Sequence, residues 1–267
     1  MKRSSPIGVF DSGLGGLTVF KALARRMPEE GLVYFGDTAH VPYGSKSPEA
    51  IARFSSAVAR FLAKKGIKVL VVACNTSSAW ALPAIRRAVK VPVIGVIEPG
   101  ARAALGVSRG RRIGVIGTEA TVKSGAYPAA IKKLARAKIE SAACPLFVPL
   151  VEEGWWTGPV VEAVAKRYAA PLKKAKVDTL ILGCTHYPYL KPVLAKVMGP
   201  KVRLIDSAAE TAVETERVLS KLGLRAKKGK RGARAFYASD APERFGRLGT
   251  RMLGTPIKKV GLHPFDA

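Results

Sequence analysis

Two short stretches carry the residues best suited to chemistry. "VLVVACNTSSA" (residues 69–79) is an apolar run that ends at Cys74 and breaks at once into Asn, Thr and Ser; "TLILGCTHYPY" (179–189) repeats the pattern around Cys184. A cysteine inside such a run would be an inert small hydrophobe. One at the exit sits where ligands of open α/β sheets bind. A thiolate is a strong nucleophile and a usable base, with an ordinary pKa of about 8.5. Two thiols facing each other across a cleft suit stereoinversion at a carbon acid: one removes a proton from one face and the other returns a proton to the opposite face. Covalent catalysis would need a single nucleophilic cysteine with a histidine base, and it leaves a second opposed cysteine without a task.

Other residues could serve such a pair. Asp11 lies in "VFDSGLGGLTV", directly after an apolar stretch and inside a glycine-rich turn. Gly13, Gly15 and Gly16 do not match the dinucleotide-binding spacing, since position 18 is Thr, and no Lys-Ser/Thr follows as a phosphate-binding loop requires. A carboxylate there can accept from an ammonium group or orient a thiol. His186 stands two residues after Cys184 and could supply or stabilise a proton. The segments "VPYGSKS" (41–47) and "GTEATV" (117–122) read as loops rich in backbone donors and hydroxyls, suited to a carboxylate. In "PLVEEGWW" (149–156), Glu152 and Glu153 also read as the N-terminal turn of a helix. Cys144 falls outside these patterns and reads as a buried core thiol.

The elements that must position these groups alternate along the chain. Short apolar runs at 6–10, 32–36, 68–73, 91–96, 112–117, 178–183 and 202–206 read as strands. Segments 48–65 and 158–175 between them repeat apolar residues every three or four positions, as one face of a helix does. Alternation of this kind predicts parallel sheets built from βαβ units. The chain also echoes itself: "IGVFDSG" (7–13) resembles "IGVIGTE" (113–119), and the two cysteine stretches follow at nearly the same offset. The expected fold is therefore two similar doubly wound α/β domains with the site in the cleft between them. Residues 1–97 with 208–267 form the first, carrying Asp11 and Cys74; residues 98–207 form the second, carrying Glu152, Cys184 and His186.

Composition narrows the class. The 267 residues are 48% hydrophobic and 24% charged, which is globular rather than disordered. Three cysteines without C-x-x-C spacing fit neither a disulfide framework nor a zinc site. The apolar stretch near the start is too short for a secretory signal or a membrane span, so a cytoplasmic protein with reduced thiols is expected. The net charge of +26 would attract nucleic acid or an acidic substrate and says nothing of fold. "RAKKGKRGAR" (225–234) is either a solvated loop or a phosphate-contacting patch.

In order along the chain, "FDSGLGGLTV", "YFGDTAHVPYG", "ACNTSSA", "PLVEEGW", "GCTHYPYL" and "LIDSA" resemble the cofactor-independent glutamate racemases, over a match running from Ile7 to "FYASDAPERF". The related aspartate racemases typically carry an acid where His186 stands. The resemblance implies interconversion of L- and D-glutamate without cofactor or metal, supplying D-glutamate for peptidoglycan. It implies Cys74 and Cys184 as the acid/base pair, with Asp11 assisting Cys74, and Glu152 and His186 assisting Cys184. Asp11, Ser12, Tyr43, Gly44, Asn75, Thr76, Thr185 and His186 match the family's substrate-binding positions; Thr118 and Thr121 match weaker contacts, and Asp206 a packing or hinge residue. A homodimer is compatible with it; nucleic acid is compatible but not required, and a membrane has no part. The competing expectations are a racemase for aspartate or another acidic amino acid, and a basic nucleic-acid-binding protein on this fold.

Overall fold

The computed structural model describes residues 1–227 and 229–265. Two wholly parallel sheets organise it. The first has the order β10-β9-β2-β1-β3-β4, from β1 (Ile7–Asp11), β2 (Leu32–Gly36), β3 (Val69–Val72), β4 (Val93–Gly95), β9 (Arg234–Ala238) and β10 (Gly261–Leu262). The second has the order β6-β5-β7-β8, from β5 (Arg112–Gly117), β6 (Lys138–Ala143), β7 (Thr179–Gly183) and β8 (Arg203–Ile205). The inner strands are apolar without alternation because both faces are covered. Val69 and Val71 turn to one hydrophobic cluster while Leu70 and Val72 turn to another. In the second sheet Leu180 and Leu182 oppose Ile181 in the same way.

β2-β1-β3-β4 and β6-β5-β7-β8 are the same topology, which gives the echo between the two sequence halves a structural meaning. In each sheet the chain reverses direction at its first strand. The crevice past the carboxyl ends of β1 and β3, and of β5 and β7, is the ligand position such sheets offer. The chain passes from one sheet to the other through α5 (Ile97–Val107) and returns through α11 (Ala208–Lys221). Then β9 and β10 rejoin the first sheet.

Helices cover the sheets: α1 (Leu17–Arg26), α2 (Pro48–Lys64), α3 (Asn75–Trp80) and α4 (Leu82–Ala88) beside the first, and α6 (Glu119–Lys123), α7 (Ala126–Leu134), α8 (Phe147–Glu152), α9 (Pro159–Lys174) and α10 (Lys191–Met198) beside the second. α12 (Pro242–Leu253) follows β9. α2 shows how sequence sets such an element. Ser47 caps it by accepting from the Ala50 amide (3.2 Å), Pro48 opens the first turn, and Ile51, Phe54, Val58 and Leu62 form the buried stripe. Under the first sheet, the side chains of Lys68 and Glu30 pair at 2.5 Å with no exposure to solvent. Lys68 Nζ also donates to the Arg3 and Leu224 carbonyls (2.7 and 2.9 Å), so its charge is compensated where it is buried.

Three segments differ from expectation. β6, β9 and β10 lack a long apolar run and were not foreseen as strands. Residues 119–122 are helical rather than loop, because Thr118 caps α6 by accepting from the Thr121 amide (3.2 Å). Glu152 and Glu153 end α8 instead of beginning it. Of the basic segment 225–234, Arg225 pairs with Glu29 (2.8 Å) and Glu216, and Arg234 donates to the Pro28 carbonyl (3.2 Å) and to that of Glu30; these two cations hold the chain rather than a ligand. Lys228 lies outside the described residues.

Candidate active site

Cys74 and Cys184 occupy matching places, each the first or second residue beyond the end of an inner strand, β3 and β7. Both are buried and both line one small cavity between the sheets. About 10 Å³ of it is open to the centre of a water molecule, room for roughly one. Each thiol has its own environment. Cys74 caps α3: its Sγ accepts from the Ser77 amide at 3.4 Å and donates to Ser12 Oγ at 3.6 Å. Burial and the nearby Asp11 carboxylate push this thiol up to about 11.

Asp11, at the end of β1, is wholly buried, and burial raises its carboxyl above the usual range against the pull of His186 and local hydrogen bonds. It is held by the Gly13 amide (3.1 Å) and by Thr185 Oγ1 (3.1 Å), a hydroxyl from the second sheet's side. Gly15 lies in the turn between. A Cβ there would overlap Thr185 Oγ1 and His186 Nδ1, so glycine at this point is what lets the second half approach the first. Gly44 has the same function against Thr118, whose side chain a Cβ would strike.

On the other side, His186 Nδ1 stands 3.8 Å from Cys184 Sγ, and Nε2 makes a 2.7 Å hydrogen bond to Glu152 Oε1. Burial opposes a charge on this ring. The hydrogen bonds to Cys184 and Glu152, with their negative charge, outweigh it and hold His186 well above the usual histidine range. Burial likewise works against the Glu152 carboxylate, and the His186 partner holds it below its usual value. One cavity thus has a raised thiol beside the buried Asp11 carboxyl on one wall, and a thiol 3.8 Å from the raised His186 ring on the other.

The remaining wall is polar and spans both halves. Thr76 Oγ1 shares hydrogen bonds with Thr118 Oγ1 (2.9 Å) and Thr121 Oγ1 (3.1 Å), and Tyr127 donates to Asn75 Oδ1 (2.7 Å). Ser12, Tyr43, Gly44, Asn75, Thr76, Thr118, Thr185 and His186 line the cavity with the two cysteines; Asp11, Thr121 and Glu152 stand one contact behind it. Every residue singled out for chemistry or binding is therefore gathered at one place. Cys144 is buried away from the cavity lining, and Asp206 accepts from the Ala208 amide (3.0 Å) and from Lys191 between β8 and α11. Among the described residues no group of three or more His, Cys, Asp or Glu is placed to hold a metal ion.

Residues 7–215 match the family model for Asp/Glu/hydantoin racemases. The chain belongs to this family. Its relatives agree over nearly the whole length. A glutamate racemase of Geobacter metallireducens is 51% identical over 255 residues, covering 95% of this chain and 94% of its own. The crystal structure of a glutamate racemase isoform from Bacillus anthracis superposes with a TM-score of 0.93 at 40% identity, over 99% of this chain and 98% of that one. The Francisella tularensis glutamate racemase, crystallised with D-glutamate, superposes at 0.92 and 38% identity over 99% of each chain. The chain is thus an amino-acid racemase, an isomerase. Among the described residues no helix is long and apolar enough to cross a membrane.

Sequence reasoning passed over several residues of this cavity and its supports. Val41, Pro42 and Val148 line the cavity. Asp37 holds Tyr43 by a 2.5 Å hydrogen bond from the phenol, and Tyr34 donates to the Gly13 carbonyl (2.8 Å) under the glycine-rich turn. Asp37 follows β2 much as Asp11 closes β1, so "YFGDT" beside "VFDSG" was the available signal.

Proposed function

We propose that this racemase interconverts L- and D-glutamate by proton transfer between two cysteines, without a cofactor. The observation that carries the reading is the arrival of two buried thiols at one cavity from matching strand ends. In the D to L direction the Cys74 thiolate takes the α-proton. The Cα–H electron pair moves into the α-carboxylate system, and the Cys184 thiol returns a proton to the opposite face. Cys74 then holds the proton and Cys184 is the thiolate, ready for the reverse reaction.

The α-proton is a very weak acid, so a strong base is useful. A thiol whose pKa stands near 11 gives less thiolate at neutral pH but a stronger base when formed. On the other wall a protonated His186, held by Glu152, stabilises the Cys184 thiolate and can replenish its proton. Asp11 assists Cys74, and the hydroxyls of Ser12, Thr76, Thr118, Thr121 and Thr185, with the Asn75 amide, receive the carboxylates and ammonium. Glutamate is larger than the enclosed space, so it enters by separation of the two domains, hinged at their boundaries, 97/98 and 207/208. The +26 charge favours encounter with an anionic amino acid. In the cell this reading places the chain in the cytoplasm, making D-glutamate for peptidoglycan. It needs neither nucleic acid nor membrane, and it does not depend on whether the chain pairs as a homodimer.

The test is α-deuterium wash-in. Pure, reduced protein is incubated with L-glutamate and, separately, with D-glutamate in D2O, and the α-proton signal is followed by NMR. Exchange from both enantiomers with loss of optical rotation supports the reading. Exchange with aspartate and none with glutamate would move the substrate to the related acid.

A further inference from the structure

Tyr43 reaches the reacting cavity from a single 3₁₀ turn, Tyr43–Ser45, which has no strand of its own to hold it. Its phenol donates to Asp37 Oδ2 (2.5 Å). The buried Asp37 carboxylate also accepts from Ser239 Oγ (2.6 Å) and lies 2.9 and 3.0 Å from His40 Nδ1. The loop between β2 and the turn is stitched again to the far end of the chain: the Ala39 amide donates to Ser239 Oγ (2.9 Å) and the Asp240 amide to Thr38 Oγ1 (3.0 Å).

His40 is itself clamped. Its ring stacks on Phe54 of α2 with centroids 4.2 Å apart, and against Phe265 at 5.7 Å. Phe265 also packs on Phe35 (5.8 Å). The tail bearing it is fixed one step earlier: β10 pairs with β9, the His263 amide donates to the Ala238 carbonyl (2.9 Å), and the His263 ring stacks on Phe61 (4.1 Å). A continuous set of contacts therefore runs from the C-terminal tail through His40 and Asp37 to the tyrosine on the cavity wall.

We propose that His40 and Phe265 are positioning residues for this racemase: the tail aromatic holds the His40 ring, the ring fixes Asp37, and Asp37 holds Tyr43 against the substrate cavity. This rests on the glutamate reading above. The physical reason is that a cavity this small tolerates little displacement of its wall. The loop is tied to the rest of the chain by the Asp37 amide on the Asp11 carbonyl (3.0 Å) and by the side-chain bonds above, and those side-chain contacts set the orientation of its turn. Phe265 is far along the sequence from both cysteines and touches neither. Its effect therefore falls on the fit of the substrate and not on proton transfer itself.

The experiment compares KM and kcat for both glutamate enantiomers, by α-proton exchange, in the parent protein and in Phe265→Ala, Phe265→Tyr and Leu219→Ala. Phe265→Ala is expected to raise KM roughly three- to thirtyfold with a smaller change in kcat, and Phe265→Tyr, which keeps the ring, to restore the parent value. Leu219 is buried in α11 and has no contact with this loop, so Leu219→Ala lowers Tm while KM stays at the parent value. A parental KM in a folded Phe265→Ala variant overturns the proposal, as does a Leu219→Ala variant whose KM rises equally. If Phe265→Ala does not fold, Phe265→Leu reads the same contact, since it keeps apolar bulk and loses the ring: a raised KM supports the proposal and a parental one overturns it. A parent protein that exchanges no glutamate at all refutes the glutamate reading instead.

Discussion

Glu152→Gln isolates the electrostatics of the Cys184 wall. The substitution keeps the shape of the side chain and a hydrogen-bonding oxygen while removing the charge 2.7 Å from His186 Nε2. His186 is 2% exposed and the Glu152 side chain 16%, so little solvent screens the pair. A hydrogen bond between charged partners contributes about 1.5–3 kcal/mol, and one between neutral partners about 0.5–1.5 kcal/mol. Because glutamine keeps a neutral hydrogen bond, the loss is the difference, about 1–1.5 kcal/mol, and at about 2–4 °C per kcal/mol for a chain of this size the variant should lose roughly 2–6 °C in Tm near pH 6. The sign with pH follows from both partners. His186 is raised above 6.5 in the fold, so its contribution is complete below 6.5 and fades as pH climbs through the raised value. Glu152 is lowered beneath 4.5, so its contribution is complete above 4.5 and fades as pH falls through the lowered value. The gap between parent and variant is therefore widest from 4.5 to 6.5 and narrows on the alkaline side. Ring-proton NMR reads the cause directly, since there are only three histidines to resolve. The His186 signal should titrate at lower pH in the variant. A Tm gap that is constant from pH 5 to 9, or an unmoved His186 midpoint, would refute the assignment of charge to this pair.

The other predictions concern the thiols and the buried lysine. Cys74→Ser should reduce exchange by about 10²–10⁴ and do so unequally for the two enantiomers, because an alcohol is a far poorer base in the direction that begins on Cys74. Equal losses, measured by deuterium wash-in, would undo the assignment of Cys74 to D-glutamate. Because the Cys74 thiol stands near 11, kcat/KM for D-glutamate should climb with pH from 7 upward as thiolate forms. A profile flat from about pH 6 to 10 contradicts the two-base scheme. Lys68→Met removes one member of a fully buried ion pair and leaves the Glu30 carboxylate with only the Ala226 amide (2.8 Å) and the more distant Arg225 Nε (3.9 Å). Urea denaturation should show a loss of about 3–5 kcal/mol with exchange kinetics little changed in the folded protein, and a neutral result would mean the pair is dispensable.

The fold was legible wherever burial on both faces of a strand dictated the residues. "KVLVVA" and "DTLILG" could be little else than inner strands, and β3 and β7 lie within them. The boundaries of α2 and α9 came within one residue of the helical periodicity because Ser47-Pro48 and Gly158-Pro159 mark their starts. β6 was invisible for the converse reason. "KIESAA" is an edge strand that is only partly buried, and its residues carry no pattern that burial imposes. β9 owes its place to β2, an element some two hundred residues away, and the two-residue β10 pairs in turn with β9. The site showed the same division. Cys74, Cys184 and Asp11 announce themselves by polar chemistry at the end of an apolar run. Glu152 does not: its place at the end of α8 is set by the fold, and "VEEG" alone fits the start of a helix equally well. Tyr127 acts on Asn75, 52 residues away, and no local pattern marks such a partnership.

The polar wall explains how so small a cavity can serve the dicarboxylic amino acid proposed as its substrate. The groups suited to a carboxylate satisfy one another across the domains: Thr76 with Thr118 and Thr121, Tyr127 with Asn75, Thr185 with Asp11. Each of these bonds joins a residue positioned by the first sheet to one positioned by the second. Apart from Thr185–Asp11, these bonds join neutral partners and contribute about 0.5–1.5 kcal/mol apiece, whereas bonds to a carboxylate contribute about 1.5–3 kcal/mol. An incoming substrate that separates the domains therefore loses the weaker set and gains the stronger one as they close on it. The same contacts that hold the empty domains together are released in favour of glutamate, so opening is cheap and the closed complex is preferred. In the mechanism proposed above, Cys74 and Cys184 need this closure: β3 of the first sheet and β7 of the second deliver them, and the closed arrangement would bring both thiols to one carbon.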